Sequence, residues 1–85
     1  MKARKTLQKV TSGSRNIRFG DLLVLLEAFG FELKRTSGSH KIYKHPSVPA
    51  LLSLQPDKNE QAKAYQVNQL LKLVEEYNLT LRDDE

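Results

Sequence analysis

The chain has 85 residues, 39% hydrophobic and 28% charged, which are the proportions of one small globular domain. It contains no cysteine, so the sequence excludes a disulfide framework and a thiolate zinc site. The longest apolar run, Leu22 to Leu26, is far shorter than the roughly 20 residues that span a bilayer, and the N-terminus lacks an apolar signal region. We therefore expect no membrane segment and a cytoplasmic location.

The fourteen cations and ten acids are unevenly distributed along the chain. Residues 31–45 hold four Lys or Arg residues against Glu32 alone, whereas seven acids and four cations follow from Asp57 onward. Residues 1–18 contain no acid and six cations: Lys2, Arg4, Lys5, Lys9, Arg15 and Arg18. This distribution favours an anionic partner, such as the phosphate backbone of RNA.

The first predicted helix follows a basic segment. Residues 1–15 are polar and basic with little periodicity, so we expect a flexible basic N-terminal arm outside the core. From Asn16 to Phe29, apolar residues recur at spacings of three and four, which predicts helix one, capped by Ser14 or Asn16 and ended by Gly30. The apolar stripe of this helix is Phe19, Leu22, Leu23, Leu26 and Phe29.

The next two segments predict a β-hairpin. Residues 31–36 alternate in polarity with a period of two, and residues 39–45 continue an extended pattern that ends at Pro46. With Ser37 and Gly38 as the two loop residues, Leu33 pairs with Ile42, and both face the core. The same register predicts an outer face that carries Glu32, Lys34, Lys41 and Tyr43.

A third strand and a second helix complete the predicted fold. Ala50–Leu54 lies between two prolines and predicts a strand, and Val67, Leu70, Leu71 and Val74 mark one face of helix two, which ends near Asn78. The result is an α+β fold of order α-β-β-β-α, with a three-stranded antiparallel sheet and two helices on one face. We expect this domain at residues 16–80 and an acidic C-terminal tail at 81–85. The expected core comprises Leu22, Leu26, Leu33, Ile42, Leu52, Leu70 and Val74.

His40 and His45 are the two histidines of the chain, and both lie on the second predicted strand. Histidine exchanges a proton near neutral pH, so it can act as general base or acid when the neighbouring 2′-hydroxyl cleaves RNA, a reaction that requires no metal. On spacing alone, each histidine is more simply explained as a surface residue. His40 is less easily explained in this way, because the series Gly38-Ser39-His40 sets it immediately after a tight turn, with a hydroxyl and cations adjacent. A metal site has little support, since two histidines five residues apart on a strand face opposite sides.

The residues around His40 suggest how RNA could be held. Arg35, Lys34 and Lys41 can offset the charge that builds on the transition state, and Tyr43 can either stack on a base or pack across the sheet. The candidate RNA-binding residues are therefore Ser39, Lys41, Lys34, Arg35 and Tyr43. These residues by themselves indicate a basic α+β nucleic-acid binder. Two alternatives to catalysis stay open: a non-catalytic RNA-binding module, and an adaptor whose basic strands meet an acidic protein.

Two motifs carry a family resemblance: Gly30-Phe31-Glu32-Leu33, and Gly38-Ser39-His40-Lys41-Ile42-Tyr43-Lys44-His45-Pro46. They resemble the HicA (YcfA-like) toxins of type II toxin–antitoxin systems, over roughly residues 17–79 by pattern. The resemblance implies a fold similar to double-stranded-RNA-binding domains, metal-independent cleavage of mRNA with His40 as the catalytic residue, and a HicB-type antitoxin that covers the active surface. The sequence departs from the family after strand two, where a second histidine and a Gly-Thr are common and this chain has Leu51 to Asn59.

Overall fold

The computed structural model describes residues 2–13 and 16–81. Within these ranges the elements, in chain order, are α1 (Lys2–Thr11), α2 (Phe19–Ala28), β1 (Glu32–Ser37), β2 (His40–His45), β3 (Val48–Leu54) and α3 (Ala64–Glu76). The strands form one antiparallel sheet of order β1-β2-β3. The predicted α-β-β-β-α order is confirmed from α2 to α3, and α1 precedes it.

Within the described residues, the three helices end in the same way, with a residue in the left-handed conformation just past the last turn. Gly13, Gly30 and Asn78 have φ angles of 88°, 101° and 53° and follow α1, α2 and α3 respectively. Beyond α2, the Phe31 N–H donates to the Leu26 carbonyl at 3.1 Å, which satisfies a carbonyl that the helix leaves unpaired. The end signals predicted at Gly30 and Asn78 are therefore confirmed.

The start of α2 differs from the prediction. Its N-cap residue is Arg18, which makes no side-chain capping hydrogen bond, so the predicted cap at Asn16 is wrong; Ser14 lies outside the described residues. The Phe19 N–H instead donates to the Glu60 carbonyl at 3.1 Å. A backbone group from the β3–α3 connection thus satisfies a donor that a side chain was expected to take.

Residues 2–11 form a helix, where the sequence analysis expected an arm outside the core. Ala3, Thr6 and Val10 are each at most 8% exposed, and their spacing places them on one side of α1, which contacts α2. Leu7 packs partly against the same cluster. This stripe is short and includes a small and a polar residue, so it gives too weak a periodic signal to predict burial from the sequence.

The turn of the hairpin lies one residue later than predicted, so each partner across the strands near the turn moves by two residues. The turn residues are Gly38 and Ser39, so Ser37 pairs with His40 rather than Thr36 with Ser39. A β-bulge between Leu33 and Arg35 then changes the pairing again, and Leu33 lies opposite Tyr43. Gly38 has a φ of 62°, which the first position of such a tight turn requires.

The face of β2 that packs against the helices is the opposite of the one predicted. Tyr43 is 2% exposed and belongs to the core, whereas Leu33 is 47% exposed and Ile42 is half-buried. Apolar residues at two adjacent positions of β2 permit either face to turn inward, and the register places Tyr43 beside the buried Leu52. The predicted burial of Leu33 and Ile42 is therefore wrong.

The remaining core assignments agree better with the structure. Leu22, Leu26, Leu52 and Leu70 are at most 1% exposed, while Val74 packs against the cluster but is only partly buried. β3 begins at Val48, earlier than predicted, and includes a proline that an edge strand tolerates. Among the described residues, no helix is long and apolar enough to cross a bilayer.

The two segments predicted to flank the domain, residues 1–15 and 81–85, lie only partly within the described residues. Leu81, the first residue of the predicted acidic tail, packs partly buried against the core. The rest of that tail, residues 82–85, lies outside the described residues.

Candidate functional site

The sheet covers the helices with one face and leaves the other open. Successive side chains along a strand point to opposite faces. Because Tyr43 is buried, the side chains of His40, Ile42 and Lys44 on β2 lie on the face away from the helices. On β3 the same alternation places Ser53 and the 49% exposed Leu51 there. We call this side of the sheet the open face.

His40 occupies one corner of the open face, at the first position of β2. It is exposed and lies opposite Ser37. Arg35, two residues from Ser37 on the same face, is the diagonal neighbour of His40 across the strand pair, at a distance that a long side chain can bridge. The open face therefore combines a group that can transfer protons with a group that can hold a phosphate.

The turn that precedes His40 is tied to the end of β3. The Gln55 Nε2 group donates a hydrogen bond of 3.1 Å to the Ser39 hydroxyl oxygen. This bond joins the β1–β2 turn to a residue that directly follows the third strand. The position of the turn, and of the His40 backbone beside it, thus depends on the end of β3 as well as on the hairpin. The sequence analysis did not identify Gln55, and no local pattern predicts this contact.

Of the predicted RNA-binding residues, Arg35 lies on the open face and Lys34 is exposed at the bulge of β1. Lys41 pairs with Thr36 and with the buried Leu54, so it lies on the helix side of the sheet and is half-buried. The prediction that Lys34 and Lys41 face each other is therefore wrong, because the shifted register separates them.

Tyr43 points into the core and offers no exposed ring on which a base could stack. Burial of its hydroxyl, and to a smaller degree the nearby Glu27 carboxylate, raises the pKa of Tyr43 above the usual 10.0. Of the two roles that the sequence left open, packing is the one that the structure supports.

Lys44 is a cation of the open face that the sequence analysis did not assign to the site. It is exposed and pairs with Glu32 on β1. It lies four residues from His40 along β2, roughly 13 Å at the usual rise of a strand. The sequence shows that His40, Ile42 and Lys44 share one face of β2, but it does not show that this face points away from the helices.

The second histidine is part of the framework. His45 Nδ1 accepts a hydrogen bond of 2.9 Å from the Ser47 N–H, so Nε2 carries the ring hydrogen and donates to the Phe29 carbonyl at 3.0 Å. The ring meets Phe31 edge-on, with centroids 5.0 Å apart. Nε2 thus ties the end of β2 to the residue that ends α2, while Nδ1 ties it to the turn between β2 and β3.

Over residues 2–13 and 16–81, no group of three or more histidine, aspartate or glutamate residues is placed to hold a metal ion.

Comparison with known proteins gives one match. The family model for the HicA toxin of bacterial toxin–antitoxin systems matches residues 19–75, which begin with α2 and end within α3. No curated protein matches the chain, and no solved structure does.

Proposed function

This chain belongs to the HicA toxin family, and we propose that it is an endoribonuclease that cleaves mRNA in the cytoplasm without a metal ion, with the His40 imidazole as its acid/base group. One observation carries the proposal. His40 is exposed at the corner of the open face, diagonal to Arg35, whereas His45 has both ring nitrogens engaged. Of the two histidines, His40 is the more exposed, and His45 is half-buried.

The proposed reaction is attack by the 2′-hydroxyl of the RNA on the adjacent phosphorus. His40 takes the proton from that hydroxyl as the bond between O2′ and phosphorus forms and the bond between phosphorus and O5′ breaks. The proton then passes to the leaving 5′-oxygen. The products are a 2′,3′-cyclic phosphate and a 5′-hydroxyl, and the reaction consumes no water at this step.

The cations around His40 have distinct proposed roles. The Arg35 guanidinium is placed to offset the charge that builds on the phosphate in the transition state. Lys44, farther along β2, would contact a neighbouring phosphate of the same strand, and Lys34 at the bulge would extend that track. Ser39 and Lys41 remain candidates for substrate contact, although Ser39 is engaged by Gln55 and Lys41 lies on the helix side.

A cleavage assay on purified protein tests this proposal. Single-stranded RNA should be cut in excess EDTA, and an otherwise identical RNA with 2′-deoxyribose at the cleaved position should stay intact, because its nucleophile is missing. Activity that EDTA abolishes and a divalent metal restores, or products that carry a 5′-phosphate, would contradict the mechanism. Binding of RNA without any cleavage would leave a non-catalytic RNA-binding module as the function.

Membership of a toxin–antitoxin family implies an antitoxin partner. We propose that this partner is of the HicB type and covers the open face, since the cations there favour an acidic or shape-matched surface. Co-expression with the neighbouring reading frame should yield a stable complex in which RNA cleavage is inhibited. A toxin that copurifies with nothing and harms no host would contradict this part of the proposal.

A further inference from the structure

Helix α1 precedes the segment that matches the family, and it has two different sides. Ala3, Thr6 and Val10 on its inner side are buried with α2. On its outer side Arg4, Lys5, Gln8 and Lys9 are exposed, and no residue of the helix is acidic. We call these four residues the α1 outer side.

The end of α1 is capped by hydrogen bonds, which fix the backbone positions of these cations relative to one another. The Thr11 hydroxyl donates to the Leu7 carbonyl at 3.0 Å, and the Ser12 hydroxyl donates to the Lys9 carbonyl at 3.0 Å. The Gly13 N–H donates to the Val10 carbonyl at 3.2 Å. The carbonyls at the end of the helix therefore have partners, and the backbone that carries the cations is already ordered before binding.

The composition of the α1 outer side distinguishes between two classes of partner. Protein interfaces are usually built around aromatic or aliphatic side chains that fill a pocket of the partner. The α1 outer side has none, and its exposed residues are three cations and a glutamine. A row of cations without an apolar anchor matches the regular negative charge of a nucleic-acid backbone.

The geometry points to the α1 outer side as a second RNA-binding surface, which contacts the phosphates of single-stranded RNA. This inference rests on the proposed function for the identity of the nucleic acid. Arg4, Lys5 and Lys9 supply the contacts, and the bases of the RNA are not recognised there. The surface therefore increases affinity for RNA of any sequence and strengthens its dependence on salt.

The test is the salt dependence of RNA binding, measured by fluorescence anisotropy. The probe is a single-stranded oligonucleotide with 2′-O-methyl groups throughout, which cannot be cleaved, so the measurement is independent of the proposed catalysis. The variant combines Arg4→Gln, Lys5→Gln and Lys9→Gln, substitutions that preserve helix propensity. The control combines Lys58→Gln, Lys63→Gln and Lys72→Gln, which changes the net charge equally at positions outside α1.

Loss of three phosphate contacts should reduce the slope of log affinity against log salt by about 2, at about 0.7 per contact for single strands. Over a fourfold increase in salt, the variant should therefore lose roughly 20-fold less affinity than the wild type. The control should keep most of the wild-type slope. Circular dichroism establishes that each variant is folded, and if the triple variant is not, the three single variants should each reduce the slope by about 0.7.

Two outcomes would overturn the inference. An unchanged slope in the α1 variant would show that RNA does not contact α1. Equal reductions in variant and control would show that only net charge matters. If the α1 variant binds RNA normally but no longer binds the antitoxin, the outer side contacts an acidic protein instead. Absence of RNA cleavage by the wild type would refute the proposed function but leave this measurement valid.

Discussion

Replacing His45 by alanine separates a framework histidine from a catalytic one. The substitution removes the hydrogen bond to the Phe29 carbonyl, the bond from the Ser47 N–H and the edge contact with Phe31. The bond to the Ser47 N–H is exposed, so water largely replaces it, whereas the bond to Phe29 is part-buried. With about 1 kcal/mol for the second bond and about 1 kcal/mol for the ring contact, His45→Ala should lower the free energy of unfolding by about 2 kcal/mol.

For a domain of this size, that loss corresponds to a decrease in Tm of roughly 8–16 °C. Urea denaturation followed by circular dichroism measures it directly. His45→Gln is the matched control, because its amide can still donate to the Phe29 carbonyl but cannot make the ring contact, and it should recover part of the loss. His40→Ala, at an exposed position, should change stability by less than about 0.5 kcal/mol.

RNA cleavage by the same variants completes the experiment, at a temperature where all of them are folded. His45→Ala should retain cleavage, and His40→Ala should lose it while still binding RNA. A His45→Ala protein that is as stable as the wild type would refute the framework role. A stable but inactive His45→Ala protein would identify His45 as the catalytic group, and a folded His40→Ala protein with wild-type activity would refute the role of His40.

Three further outcomes are expected. Gln66 is 1% exposed and, within the described residues, its Oε1 atom has no hydrogen-bond partner. Replacement by methionine, which has a similar size, should therefore raise the free energy of unfolding by about 1 kcal/mol. Gln69→Met, at an exposed position of α3, is the control and should not raise it. Gln55→Ala should lower the cleavage rate without weakening RNA binding, because it releases the turn at Ser39; equal loss of binding would contradict a positioning role. Burial raises the pKa of Tyr43 in the folded state, so above about pH 10 the unfolded chain releases this proton first. Stability should then fall more steeply for the wild type than for Tyr43→Phe in urea titrations across that range.

Part of the candidate site could be predicted from the sequence, but the full set of residues on the open face could not. The sequence predicted His40 as the candidate catalytic residue, because a turn, a hydroxyl and cations surround it locally, and Arg35 as its cationic neighbour; the structure places both on the open face. The sequence missed Lys44 and assigned Tyr43 to RNA contact, because both depend on which face of β2 turns toward the helices. Gln55 was also missed, since its contact with Ser39 joins residues 16 positions apart.

The sequence by itself determined the order of the elements from α2 to α3 and the residues that end those helices. Helical periodicity and left-handed residues such as Gly30 and Asn78 act locally, so their effect can be predicted without knowledge of the rest of the chain. Only the tertiary structure decided the register of the hairpin and the burial of α1. Adjacent apolar residues, Ile42 and Tyr43, put one candidate for burial on each face of β2, and a short helix is stable only against a partner. Both outcomes depend on how side chains pack across the whole domain, which no local pattern contains.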